Sequence, residues 1–450
     1  MTDHAQITSL CLSGNGSLLI DALSGHGIVC KDELTVLDGS YTVQVSGHGF
    51  QVNNRISVAK GNFDINAGKD GFHAENPDGN GSDSVYLADG RYSILANGDG
   101  ISAGTDLQID GGDYILTTGG GAANAPAHAG QFGGAFPQED TGSAKGLKAK
   151  GNLTVLGGTF DLDCADDAIH CDANALLAGG QWRIASGDDA IHAGEQLRID
   201  DGELTVSQCY EGLEGHCIDI NGGHIDLTAS DDGMNAAGGN DGSGTGGFGG
   251  NDIFANDTAA YIKITGGTLL LNAGGDGIDS NGSVFVSGGE TYLSGPTNSG
   301  NGCLDYGGEA TVSGGIFVAA GSAGMAAGFG YKSTQGAILV SYSTQPAGSD
   351  VVLTNEAGEE LFRWQTEKTS SSLVLSCAGL EQGKTYHLTV GEIVGDITMT
   401  EIIYGYSSGM PGGGGPGGGG PGGNPPPNGG GNPPPNGGGN PPPNGGRPPH

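Results

Sequence analysis

The chain has 450 residues, 93 of them glycine, and sets 16 lysines and arginines against 51 acids, a formal net charge of -35. That balance argues against nucleic acid or an anionic membrane as a direct partner, because there is no basic patch to neutralise phosphate. No apolar run is long enough to span a bilayer, and strict Gly-X-Y is absent, so the glycine is not collagenous.

The opening MTDHAQITSLCLSGNG lacks the basic start and continuous apolar core of a signal peptide, so the chain is expected to begin after processing or downstream of its true start. Repeats begin almost at once. Aligned on a small turn residue they read His26-Gly27-Ile28, His48-Gly49-Phe50, Asp70-Gly71-Phe72, Asp99-Gly100-Ile101 and Lys145-Gly146-Leu147. They continue as Asp167-Ala168-Ile169, Asp189-Ala190-Ile191, Glu211-Gly212-Leu213, Asp232-Gly233-Met234 and Asp276-Gly277-Ile278, with a looser copy at Asn301-Gly302. Where nothing is inserted the interval is 22 residues, or 21 from Glu211 to Asp232. A fixed period of that length means one supersecondary unit stacked on itself. The excess falls in insertions: a short loop at 76–83, whose DGNGSD at 78–83 reads as a turn, a Gly/Ala-rich loop near 119–143 and a Gly/Asn/Asp-rich loop near 238–259.

Between turns the apolar residues alternate with period two. Phe160 and Leu162, Trp182 and Ile184, Leu204 and Val206, and Ile225 and Leu227 are expected inward; Asp161, Arg183, Thr205 and Asp226 outward. Short strands, Gly-Gly corners and almost no helical periodicity predict an all-β chain. The expected fold is a right-handed parallel β-helix, a solenoid of about 11 rungs over 1–334, with identical columns about 4.8 Å apart. From 335 to 406 the period is lost, and strands joined by turns predict a small antiparallel β domain that could cap the open solenoid end. The segment 407–450, with three NPPPNGGG-like octads, is expected to be a disordered Gly/Pro-rich spacer. The eight cysteines are too sparse for a disulfide scaffold. Cys164/Cys171 and Cys209/Cys217 are the pairs that could bridge, with buried free thiols the alternative.

Stacking turns acids into columns. One runs Asp70, Asp99, Asp167, Asp189, Glu211, Asp232, Asp276, flanked by Asp166, Asp188 and Asp231; a second runs His73, Ser102, Lys148, His170, His192, Glu214, Asn235, Asp279. Two unit charges about 5 Å apart cost on the order of 1 to 3 kcal/mol at an effective dielectric of about 20 to 80. Such a column needs protons, water or a cation, and calcium suits it because it takes six to eight hard oxygens in flexible geometry. The plainer reading is repeated turn chemistry, in which Asp caps backbone amides. A histidine column without cysteines is a weak zinc pattern, so His170 and His192 are read as surface hydrogen-bonding groups open to a ligand. An eliminating enzyme would need a cation and a strong base. Arg183 and Lys148 are the candidates, although Asp161 one rung earlier makes Arg183 a cross-strand ion pair first. A non-catalytic role is therefore preferred to a uronate lyase.

The stretches GKDGFHAEN, KGLKAKGNLTVLGGTFDL, DDAIHCD, SGDDAIHAGEQLRI, YEGLEG, SDDGMNAAGGNDGSG and GGDGIDSNGSVFVSGG together resemble the bacterial family of carbohydrate-binding domain-containing proteins with a pectate-lyase-like parallel β-helix. The resemblance covers roughly 10–400. It implies secreted or cell-surface proteins that bind plant polysaccharides, notably acidic pectic sugars, with several calcium ions. Carried onto this chain, the implied calcium ligands are Asp166, Asp167, Asp188, Asp189, Glu211, Glu214, Asp231, Asp232, Asn235, Asp276 and Asp279. The chain departs from the pattern in its missing leader, in His26 and His48 where later rungs carry acids, and in its many cysteines. A chain of this charge should repel polygalacturonate unless calcium bridges the two or a local patch such as Lys145, Lys148 and Lys150 receives the sugar. Tyr210 is the best stacking candidate. The alternatives are a polysaccharide lyase and a calcium-stiffened matrix or filament subunit that self-associates.

Overall fold

The computed structural model describes residues 8–76, 83–128, 142–236 and 257–405. The expected turn at 78–83, both longer insertions and the octad tail lie wholly or mostly outside them. The described residues are all-β, with a single short 3-10 turn at Ala122–Asn124.

Most repeats supply three strands, as in Phe72–Ala74, Ser84–Leu87 and Arg91–Ala96; in two the first pair runs together, as Ile191–Ile199 and Leu213–Ile220. Every strand pairs in parallel with its counterparts in the neighbouring repeats: Arg91–Ala96 lies between Asn62–Ala67 and Asp113–Thr118 in unbroken register. The first two strands of each repeat build one long sheet and the third builds another, so the chain climbs one coil per repeat and the fold is solenoid-like. All of the pairs expected inward, from Phe160 and Leu162 to Ile225 and Leu227, are buried. Period-two sequence therefore becomes two-faced strands, and stacking turns each buried position into a column.

One column shows why the corners carry glycine. Tyr41, Phe63, Tyr92, Tyr114, Phe160 and Trp182 stack along the bore with centroids 5.0, 5.0, 4.5, 4.7 and 3.7 Å apart. The polar tips of Tyr92, Tyr114 and Trp182 donate to the carbonyls of Asp89, Gly111 and Gly179, three residues earlier, so a buried hydroxyl or indole N–H is satisfied by its own corner. The residue between must turn sharply: Gly112 has φ 111°, and a Cβ there would sit 2.9 Å from Gly90 O.

Past Gly321 the alternation fails for a physical reason. Ile316–Gly321 is parallel to the preceding coil on one edge and antiparallel to Ser370–Ser376 on the other. Ala337–Gln345 extends the sheet beyond that. Four further strands, Asp350–Asn355, Glu360–Gln365, Thr385–Val390 and Ile393–Thr398, form an antiparallel sheet. Phe317 and Ala319 join the solenoid core, whereas Val318 and Ala320 join a second core with Val351, Leu353, Leu373, Leu375 and Leu388. A strand buried on both faces reads as a continuous apolar run. All eight cysteines are free thiols, and neither suggested bridge is present.

Candidate metal and ligand site

Strand register brings the second expected column together residue by residue. His73 faces Ser102, then Lys148, His170, His192, Glu214, Asn235, Asp279 and Asp305 on successive coils. The first column lies in the turns just before it. There the carboxylates grip the next coil: Asp70 Oδ1 accepts the Asp99 amide at 2.9 Å, Asp167 Oδ1 that of Asp189 at 3.2 Å and Asp232 Oδ1 that of Asp276 at 2.6 Å. The doubled acid is not spare either. Asp166 accepts the amides of Asp167 at 3.0 Å and Ala144 at 3.3 Å. Repeated turn chemistry is thus one real role of the ladder.

Charge divides the ladder into three zones. At the N-terminal end Asp70 is held by His73 Nδ1 at 2.6 Å and lies 3.3 Å from His48 Nδ1. Burial alone would raise its pKa, but the two imidazoles hold it well below the usual carboxylate range. In the middle, Lys145 Nζ sits 2.8 Å from Asp166 and 2.6 Å from Asp167. Burial of Asp167 is overcome by Lys145 and His170, and its pKa stays low. Lys148 Nζ donates to Asp99 at 3.1 Å and Ser143 at 2.9 Å, and Lys150 Nζ to Glu75 at 2.6 Å. The expected basic patch is therefore neutralised in place.

In the C-terminal zone no lysine or arginine pairs with the ladder acids among the described residues; burial disfavours a charge on His192, but Glu214 overcomes it and raises the imidazole's pKa, so His192 answers Glu214. Asp189, His192 and Glu214 offer ligand atoms within 4.8 Å of one another, as do Asp232, Asp276 and Asp279; so do Asp166, Asp167 and Asp188 in the middle zone, and His48, Asp70 and His73 at the N-terminal end. Glu214 is fully buried, Asp189 is 2% exposed and Asn235 7%. His192 Nδ1 contacts Glu214 at 2.5 Å, and Asn235 Nδ2 donates to Glu211 at 2.7 Å. Asp189 Oδ1, Glu214 Oε1 and Asn235 Oδ1 are buried with no hydrogen-bond partner among the described residues. Burial and then the Asp167, Glu214 and Glu211 charges push Asp189 well up; burial and then Glu211, Asp276 and Asp279 do the same to Asp232. Asp276 is pushed up to about 7 by burial and then Asp305 and Asp231. Asp279 is pushed up to about 8 by burial and then Asp276 and Asp305. Carboxylates so placed await protons or a cation.

The remaining candidates lie apart from this zone or are engaged. His170 faces Asp167 at 2.7 Å through Nδ1 and Asp172 at 3.1 Å through Nε2. Arg183 is exposed and pairs with Asp161 at 3.4 Å, as its ladder position suggested. Tyr210, the stacking candidate, is half-buried, with His128 stacked on its ring at 3.9 Å. That stack uses a residue from the 119–143 insertion, which no strand pattern could register. Asp305, absent from the expected ligand set, extends the column; its signal was the Leu304-Asp305 step repeating Ile278-Asp279.

The family model described as carbohydrate-binding domain-containing protein matches the sequence twice, over residues 4–190 and 188–393. Searches of curated proteins and of solved structures gave no match.

Proposed function

Because the chain belongs to the family of carbohydrate-binding domain-containing proteins, we propose that it binds an acidic, pectin-type polysaccharide through calcium held on the C-terminal half of its acid ladder, without catalysing its cleavage. The solenoid is then a right-handed parallel β-helix of about eleven coils, and 335–406 is its cap. We place the protein outside the cell or at its surface.

One observation carries the reading. Three orphaned buried oxygens, on Asp189, Glu214 and Asn235, lie on consecutive coils beside raised carboxylates. Leaving such atoms unpaired costs about 1 to 3 kcal/mol each, and hard oxygens from carboxylates and an amide are the donor set calcium takes. Asp189, Glu211, Glu214 and Asn235 would hold one ion; Asp231, Asp232, Asp276 and Asp279 another. Bound calcium would supply positive charge in reach of a sugar carboxylate. The residues do the rest: His192 fixes Glu214, and Asn235 fixes Glu211. Lys145 does for Asp166 and Asp167 what an ion would do further along, so that turn is the least in need of calcium.

The test is a polygalacturonate titration with calcium and again with chelator. Binding with calcium only is the expected result. Equal binding in both would remove the bridging mechanism, and no binding in either would remove the acidic-sugar reading.

A further inference from the structure

A second set of columns lies on the outward face of the middle strands, away from the acid ladder. Gln108, Thr154, Leu176 and Arg198 stand in register on four successive coils. Beside them run Asp106, Asn152, Asn174 and Gln196, and the two columns line an open groove of about 460 Å³. The carboxamides form a ladder: Asn174 Nδ2 donates to Asn152 Oδ1 at 3.0 Å, and Asn152 Nδ2 to Asp106 Oδ1 at 3.1 Å. An amide carries two donors and two lone pairs, so Asn152 keeps one of each beyond the ladder, in an orientation the ladder fixes. Leu176 gives the floor an apolar step.

Tyrosines bracket the groove. Tyr86 precedes Gln108 in the same column, is 36% exposed, and its hydroxyl donates to Asp110 at 2.6 Å. That bond fixes a ring that is partly open to solvent. At the other end Tyr261 and Gln196 both donate to Asp219, at 2.8 and 2.7 Å. Rigid aromatic faces at the ends and polar edges between them match a chain of pyranose rings, which present apolar faces and hydroxyl edges.

Charge decides the kind of sugar. Asp106 lines the groove, and Asp110, Glu195, Asp200 and Asp219 hydrogen-bond to its lining side chains; the lining cation Arg198 is engaged with Asp200 at 2.7 and 2.8 Å, and the exposed Lys263 follows Asp219 in the same column. A uronate would meet net repulsion there. We propose that this groove, from Tyr86 to Tyr261, is a second polysaccharide subsite that takes an uncharged chain lying along the solenoid axis. The proposal rests on the carbohydrate-binding reading and differs from the acid ladder in sugar and in needing no metal.

Titration calorimetry of the full chain in chelator, with cellohexaose, xylohexaose and mannohexaose, tests it. At least one is expected to bind, and Tyr86→Ala and Asn174→Ala should each weaken it about tenfold, or about 1.4 kcal/mol. Both side chains are on the surface, and an unchanged melting temperature shows that the loss is local. The idea is overturned if none of the three binds, or if both variants bind like the parent. Calcium-dependent polygalacturonate binding is measured alongside. Its failure with groove binding intact removes only the acidic-sugar reading; its persistence with no uncharged ligand removes only the groove.

Discussion

At the scale of single residues, the ladder is a series of buried carboxylates, each with its own means of tolerating burial. Asp167 has an ammonium and Asp70 has two imidazoles, whereas Asp276 and Asp279 have backbone amides, those of Gly302 and Ser280, and no opposite charge, so they keep protons unless a cation binds. Lys145→Ala should therefore cost on the order of 3 kcal/mol in chelator, the usual penalty for breaking a buried pair, and calcium should restore part of it. Thermal unfolding with and without calcium reads both effects; an unchanged melting temperature in chelator would contradict the role given to Lys145. The pH dependence has a definite sign. Folded Asp276 and Asp279 hold protons up to about 7 and 8, far above the usual carboxylate value of 3.8. Their contribution is complete below the unfolded value and is lost as pH rises through the folded ones. In chelator, denaturant midpoints should fall between about pH 4 and pH 8, and saturating calcium should flatten that fall. A midpoint that rises over the same window would refute the assignment.

At the scale of elements, the coils are held by stacked columns, so a substitution is felt by two neighbours at once. Phe160 lies between Tyr114 and Trp182 at 4.7 and 3.7 Å. Phe160→Ala should cost about 3 to 5 kcal/mol. Tyr114→Phe keeps the stack and loses only the bond to Gly111 O, for about 1 kcal/mol. Urea unfolding of the two variants checks the ranking, and equal losses would show that the column is not close-packed. The sheet's two ends also differ. At the first coil Leu18 and Leu19 are 41% and 72% exposed, whereas the last parallel strand is covered by Ser370–Ser376. Amide hydrogen exchange should therefore be fastest in Ser9–Leu12 and Ser17–Ala22 and slow in Gln181–Ser186. Uniform protection along the solenoid would count against fraying from that end.

At the scale of the molecule, one repeat serves two chemistries because each coil presents more than one outward column. The turns gather acids and the middle strands gather amides, and both line up at strand spacing. A polymer is a fitting partner for such a surface, since its own repeat can meet several coils in succession. The acid ladder and the amide groove would then read different stretches of a mixed polysaccharide.

The sequence by itself determined the all-β class, the period near 22 residues, the inward and outward residues and the acid columns as far as Asp279, though not Asp305 beyond it. All of these follow from local rules: period two sets the face, and a fixed repeat length sets the register. It did not show that the last parallel strand of the solenoid, Ile316–Gly321, would be buried on both faces. What only the tertiary structure decided was which side chain answers which charge. Lys145 reaching Asp166 and Asp167, His128 lying on Tyr210, and the orphaned oxygens of Asp189, Glu214 and Asn235 depend on rotamers, burial and an insertion. A periodic pattern fixes which residues are neighbours, but burial and the charges of the adjoining coils set their protonation, and those exist only once the coils have stacked.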